Sequence, residues 1–208
     1  MNKNYIFSLI LVLVLVSFLG FCIENFFISM SSGFIDNRNM VLPFLWGYGL
    51  SILALLLIFG TPNAPRFFNK KLVFNSPYSG AIFYFFISFV SVCIGELVLG
   101  HIIEYTCEII WWDYTRLPLH ITRYTSVPTS FAFASMITLF MKYFFMPLME
   151  TFSKINPQVL KVLAICGFLA LSVDMINSLF YMINNHEILK IWRIYIKNDN
   201  KIAIHKKC

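Results

Sequence analysis

Three glutamates in one largely apolar stretch are the residues of this chain best suited to chemistry. Glu96, Glu104 and Glu108 all fall between Gly95 and Tyr114. Charged groups inside a membrane segment usually mark a functional site or pair with an opposite charge. At about 100° per residue, Glu104 and Glu108 lie about 40° apart on a helix, where two negative charges repel each other. The pair therefore needs a proton, a cation or basic partners.

Two interpretations of this glutamate pair follow. In the functional one, the carboxyl groups share a proton or grip a cationic group. In the structural one, they form a salt-bridge network with Arg38, Arg116 or Arg123. Paired carboxylates can also serve acid–base chemistry, so an intramembrane enzyme acting on a lipid-linked substrate is an alternative. The sequence leans away from an enzyme, because it contains neither a Gly-x-Ser-x-Gly nor a His-Glu-x-x-His motif.

The metal-ligating residue types give no recognised site. His101 and His120 lie near the acids, but their spacing matches no known metal motif. The five cysteines are scattered and form no Cys-x-x-Cys pair. We therefore predict buried free thiols, no metal site and no cofactor.

Composition predicts an all-α, polytopic membrane protein. Of the 208 residues, 59% are hydrophobic and 12% are charged, whereas about a quarter of a typical soluble domain is charged. The net charge is +6, but the basic residues occupy short connections and the tail, where membrane proteins keep lysine and arginine. This distribution is not a nucleic-acid patch. The basic residues are also divided evenly between the two sides of the membrane, so they do not decide the orientation of the spans.

Apolar runs predict about five transmembrane helices, because about 20 helical residues cross a hydrocarbon core. They cover Tyr5–Met30, Pro43–Phe59, Gly80–Ile110, Pro128–Met149 and Val159–Ile183. The corresponding domains are a helical transmembrane domain over residues 1–183 and a basic interfacial or cytoplasmic tail over residues 184–208. Within the tail, the stretch 188–196 has the pattern of a short interfacial helix.

Loop arginines are the natural partners of the acids, because acids in apolar spans need basic partners or protons. We predict a polar funnel at one membrane face, closed by Arg–carboxylate pairs, with Glu96 and Asp174 lying deeper. The full predicted cluster is Glu24, Asn37, Arg38, Glu96, Glu104, Glu108, Trp112, Asp113, Tyr114, Arg116, Arg123 and Asp174.

A pattern spread over the spans and loops resembles a known family. Its positions are Glu24, Asn37-Arg38, Gly47, Gly49, Glu104-Tyr105, Glu108, Trp112-Asp113-Tyr114, Arg123, Pro128, Pro147 and Asp174. The resemblance is to the bacterial family called Putative ABC-transporter type IV, small membrane proteins described as permease-like. It extends from about Phe18 to Ser178, and the Trp-Asp-Tyr block is its most specific part.

The resemblance implies a permease-like, multi-pass subunit of a transport system in the bacterial cytoplasmic (plasma) membrane, with an unknown substrate. The sequence has no phosphate-binding Gly-x-x-x-x-Gly-Lys loop, so ATP hydrolysis is expected from a separate ATPase subunit. Five spans are few for a complete pathway, so we expect a homo- or hetero-oligomer surrounded by membrane lipid. A non-catalytic membrane accessory or scaffold protein is a further alternative, in which the polar cluster only fixes helix register.

Overall fold

Long apolar runs fold into helices here because, in lipid, a helix satisfies its backbone polar groups internally. The computed structural model describes residues 3–74, 76–196 and 203–206. The α-helices are α1 (Lys3–Ser32), α2 (Trp46–Phe59), α3 (Pro77–Cys107), α4 (Val127–Leu139), α5 (Phe145–Ser153) and α6 (Pro157–Asn185). A π-helical turn over Phe140–Phe144 joins α4 to α5.

Three helices begin with the same local chemistry. Ser76, Ser126 and Asn156 each cap a helix by accepting a backbone N–H, and a proline follows in the first turn. These caps satisfy N–H groups that have no partner inside the helix, and proline costs nothing there because its missing N–H would be unpaired anyway.

Within the described residues, four helical segments are long and apolar enough to cross a membrane. They are Asn4–Ser32, Tyr78–Cys107, Val127–Ser153 and Pro157–Asn185. The predicted second span is shorter than expected, because α2 has 14 residues, about 21 Å of helix against a hydrocarbon core of about 30 Å. Five spans are therefore not confirmed; the chain is a mostly helical, multi-pass membrane protein with four candidate spans.

The end of α2 at Phe59, which is also the end that the sequence predicts, has a local cause. Gly60 adopts a φ of 74°, a left-handed conformation that favours glycine and ends the helix. The chain then forms the strands β2 (Gly60–Thr61), β3 (Ala64–Phe67) and β4 (Lys70–Lys71), which pair in antiparallel order. Residues 60–71 thus form a small three-stranded antiparallel hairpin.

The first of two compact units comprises residues 1–49 and 156–208. In it, α1 packs along α6, and a Cβ at Gly167 would lie 3.2 Å from Val14 Cγ2. A three-stranded sheet orders its strands β1 (Phe34–Asp36), β5 (Trp192–Tyr195) and β6 (Ala203–Lys206) side by side. The predicted interfacial helix over 188–196 is wrong, because this stretch contains β5.

The side chains of the paired residues on β1 and β5 explain why a strand forms there. Phe34 pairs with Tyr195, and Asp36 pairs with Arg193. The first pair brings two aromatic rings together, and the second joins opposite charges at 3.1 Å. Such pairs stabilise a sheet, but their members are more than 150 positions apart in the sequence.

The second unit comprises residues 50–155, and α3 packs against α4 within it. One face of α3 is buried at Tyr84, Ser88 and Ile103. A stripe of large apolar side chains on α3 is exposed at Ile82, Phe86, Val90, Ile94 and Val98. Successive members lie about 40° apart around the helix, so the stripe winds gradually around its outer surface, and this surface suits contact with lipid.

The end of α3 differs from the predicted end at Ile110. The helix ends at Cys107, and Glu108 follows in a left-handed conformation with its N–H donating to the Glu104 carbonyl. Glu108 therefore leaves the helix and does not continue the glutamate face.

Candidate functional site

The first polar group of interest surrounds Glu24 on α1. One turn earlier, Gly20 leaves room for the ring of Tyr48, which a Cβ at this position would overlap. The Tyr48 hydroxyl donates to Glu24 Oε1 at 3.3 Å. Arg38 donates to Glu24 Oε2 from Nε at 3.0 Å and from Nη2 at 2.7 Å. We call Gly20, Glu24, Arg38 and Tyr48 the first Gly–Tyr–Glu–Arg cluster.

Asp36 braces this cluster. Its Oδ1 accepts the Arg38 backbone N–H at 3.0 Å and lies 3.7 Å from Arg38 Nη1. Its Oδ2 accepts from Arg193 Nη2 at 3.1 Å. The Arg193 guanidinium also lies 4.0 Å from the centroid of the Phe34 ring. Arg38, which closes the first cluster, is therefore held in place through Asp36 by the sheet that contains β1.

Asp174 ties the loop after β1 to α6. It is 4% exposed, and its two carboxylate oxygens accept the backbone N–H groups of Val41 at 2.8 Å and Leu42 at 2.9 Å. Asn37 donates to the Leu189 carbonyl and accepts the Ile191 N–H. These buried polar side chains satisfy backbone groups that would otherwise lack partners, which is a structural role.

The second polar group surrounds Glu104 on α3. Gly100, one turn earlier, leaves room for the ring of Tyr124, which a Cβ here would overlap. Glu104 Oε1 lies 3.4 Å from Arg123 Nη1, and Oε2 lies 3.5 Å from His101 Nδ1. We call Gly100, Glu104, Arg123 and Tyr124 the second Gly–Tyr–Glu–Arg cluster.

The Tyr124 side chain is buried, with the residue 2% exposed. Its hydroxyl has no hydrogen bond of good geometry to any described residue. Burial raises the pKa of Tyr124, and the nearby Glu104 carboxylate raises it further. Trp112 fixes the tyrosine backbone, since its Nε1 donates to the Tyr124 carbonyl at 2.9 Å.

Glu96 lies two turns before Glu104. Its carboxylate accepts from the Tyr114 hydroxyl at 3.4 Å and from Ser130 Oγ at 3.3 Å. Ser130, which is buried, also bonds the hydroxyl of the buried Thr125 at 3.1 Å. Glu96 thus links α3 to the start of α4 through neutral hydroxyl groups.

The other predicted residues of this unit lie in the connection between α3 and α4. Asp113 is exposed and accepts the Thr115 N–H at 2.8 Å. This hydrogen bond, followed by the charges of Arg123 and Arg116, lowers the pKa of Asp113. His101, which the sequence places near the acids, contacts Glu104. No group of three or more His, Cys, Asp or Glu side chains among the described residues could hold a metal ion.

Comparison with known proteins adds one finding. The family model of Putative ABC-transporter type IV matches residues 11–179. This chain belongs to that family. No curated protein and no solved structure matches it significantly. The region shared with the ABC-transporter type IV family contains both Gly–Tyr–Glu–Arg clusters and Asp174, and it ends before β5.

Sequence reasoning missed the glycine and tyrosine of each cluster. A signal was present, because Gly-x-x-x-Glu occurs at Gly20–Glu24 and again at Gly100–Glu104. Residues four apart lie on one helix face, so a ring over the glycine comes beside the glutamate. Which tyrosine supplies that ring depends on tertiary packing. The two clusters belong to different units, and their convergence on one funnel stays a prediction.

Proposed function

We propose that this chain is the permease-type membrane subunit of an ABC transport system that acts with a separate ATPase subunit. The observation that carries the proposal is the family match over residues 11–179 in a chain whose described residues include four helical segments long enough to cross a membrane. The sequence contains no phosphate-binding loop, so we assign ATP hydrolysis to the partner. Because four spans are few for a pathway, we also propose an oligomer.

Within this function we assign the substrate-facing role to the second cluster. The side chains of Glu104 and Arg123 are 40% and 44% exposed, and their closest approach is 3.4 Å. A long, exposed ion pair contributes little to stability, so a cationic group of a substrate can replace Arg123 at little cost. The Tyr124 hydroxyl, buried beside Glu104, can then donate to a rearranged carboxylate.

Chemical crosslinking in native membranes tests the proposal. The tagged full chain is crosslinked, solubilised in mild detergent and purified, and its partners are identified by mass spectrometry. We expect a partner with a Gly-x-x-x-x-Gly-Lys loop and ATP hydrolysis by the purified complex. Replacing the loop lysine of that partner is the control, and it should abolish hydrolysis without releasing the chain. Recovery of the chain with no such ATPase at any crosslinker concentration would contradict the proposal.

A further inference from the structure

The hairpin of β2, β3 and β4 is fixed against the beginning of α3. The Gly60 carbonyl accepts from the Tyr84 hydroxyl at 3.2 Å. A Cβ at Gly80 would lie 2.9 Å from the Pro62 carbonyl oxygen. Arg66 turns inward, donating from Nη2 to the Leu56 carbonyl at 2.9 Å. The hairpin therefore lies at the level of the first two turns of α3.

From helix length and residue types, we place that level at one surface of the membrane. Tyr78 in the first turn of α3 and Glu96 are 18 residues apart by their numbering, about 27 Å along a helix. This length is close to a hydrocarbon core of about 30 Å. The ring of Tyr78 also lies 5.6 Å from Lys142 Nζ, and Tyr and Lys side chains are typical of the membrane–water interface.

The outer side of the hairpin combines exposed apolar and basic side chains. Exposure is 50% at Phe67, 57% at Phe68, 90% at Val73 and 73% at Tyr78. Lys70 and Lys71 are exposed between them. We call these six residues the hairpin surface. The whole segment from residue 60 to residue 79 contains no acidic residue, so its field is positive.

We propose that the hairpin surface binds anionic phospholipid headgroups. The apolar side chains enter the boundary between headgroups and acyl chains, and the Lys70 and Lys71 ammonium groups contact the lipid phosphates. Each lysine near an anionic surface strengthens binding about fivefold. Zwitterionic lipid gives the apolar contact without this gain, so the surface prefers anionic lipid. This inference does not depend on the transport proposal.

Quenching by brominated lipid measures that preference. A Val73→Trp reporter is placed in the full chain, reconstituted in mixtures of phosphatidylglycerol and phosphatidylcholine in which one lipid is brominated. Emission from the four native tryptophans is subtracted with the unsubstituted chain. We expect brominated phosphatidylglycerol to quench the reporter several-fold more effectively than brominated phosphatidylcholine. Adding Lys70→Glu and Lys71→Glu should remove the difference.

Lys154→Glu with Lys161→Glu is the matched control, because it changes the net charge equally at exposed positions outside the hairpin. The control should keep the preference for phosphatidylglycerol. Equal quenching by both lipids in the reporter chain would overturn the proposal. Quenching by aqueous acrylamide and by neither lipid would also overturn it, because the reporter would then face water and not lipid.

Discussion

The two Gly–Tyr–Glu–Arg clusters contain the same residue types, but the contacts to the glutamate are shorter and less exposed in the first than in the second. In the first, three donors reach Glu24 at 2.7, 3.0 and 3.3 Å. In the second, the side-chain ion-pair contacts of Glu104 are 3.4 and 3.5 Å long. The paired side chains are 25% and 29% exposed in the first cluster, and 44% and 40% exposed in the second.

The arginines explain the difference. Arg38 is held by Asp36, which a strand positions. Arg123 lies on an irregular connection and is exposed. A charge held in a half-buried site by several hydrogen bonds stabilises a fold, whereas an exposed monodentate pair leaves its carboxylate available. We infer that the first cluster is a structural brace and the second is the working site.

The largest expected effect comes from replacing the glycine on which the tyrosine ring packs in each cluster. Gly20→Ala and Gly100→Ala each place a methyl group inside a tyrosine ring, and each should lower the free energy of unfolding by about 3 kcal/mol. Thermal unfolding in detergent, followed by circular dichroism, measures the loss. Gly95→Ala is the matched control, because a Cβ there meets nothing within 4 Å. A control as unstable as the other two would refute the packing explanation.

Removing the carboxylate charges should separate the clusters. Glu24→Gln should lower the free energy of unfolding by about 2 kcal/mol, because charged hydrogen bonds to Arg38 are lost. Glu104→Gln should leave stability nearly unchanged and reduce transport-coupled ATP hydrolysis by the crosslinked complex. The two variants are compared in the same unfolding and ATPase assays. Normal ATP hydrolysis by the Glu104 variant would remove the working-site assignment.

The tyrosine hydroxyls sharpen the comparison further. Tyr48→Phe removes a hydrogen bond to Glu24 and should cost about 1 kcal/mol of stability. Tyr124→Phe removes a buried hydroxyl that lacks a hydrogen bond of good geometry, so it should be neutral or slightly stabilising. Denaturant titration of both variants beside the unsubstituted chain gives the result. A destabilised Tyr124 variant would show that its hydroxyl is already engaged.

The smallest effect concerns Asp113 in the connection after α3. Its pKa is lowered in the folded chain, so the carboxylate stabilises the connection above the unfolded pKa of about 3.9. That contribution declines as the pH falls below about 4 and through the lower folded pKa. The protection factor of the Thr115 amide in hydrogen exchange, measured against an unstructured peptide at the same pH, should therefore fall in acid. Asp113→Asn is the control and should lack this pH dependence.

The sequence predicted the helical class because long apolar runs are local features. It also indicated arginine partners for the acids, and Glu24–Arg38 and Glu104–Arg123 do pair. It could not show that α2 begins only at Trp46, three residues after the predicted start at Pro43, or that the chain after Gly60 forms a hairpin. Nor could it show β5, whose partner β1 lies far away in the chain.

Site geometry was harder to predict for the same reason. Helical periodicity placed Glu104 and Glu108 on one face, but the left-handed backbone of Glu108 removes it from the helix. The sequence predicted Asp174 only as a deep member of the polar cluster, and it did not indicate that Asp174 accepts two backbone N–H groups of a distant loop. Hydrogen bonds between residues far apart in the chain produce no periodic pattern in the sequence, so periodicity could not predict them.

A double-mutant cycle on each ion pair tests the central claim most directly. Glu24 with Arg38, and Glu104 with Arg123, are each replaced singly and together by Gln in the full chain, and unfolding free energies are measured in one detergent. We predict a coupling of about 2 kcal/mol for the first pair and below about 0.5 kcal/mol for the second. Equal couplings, or a stronger coupling in the second pair, would contradict the division into brace and working site.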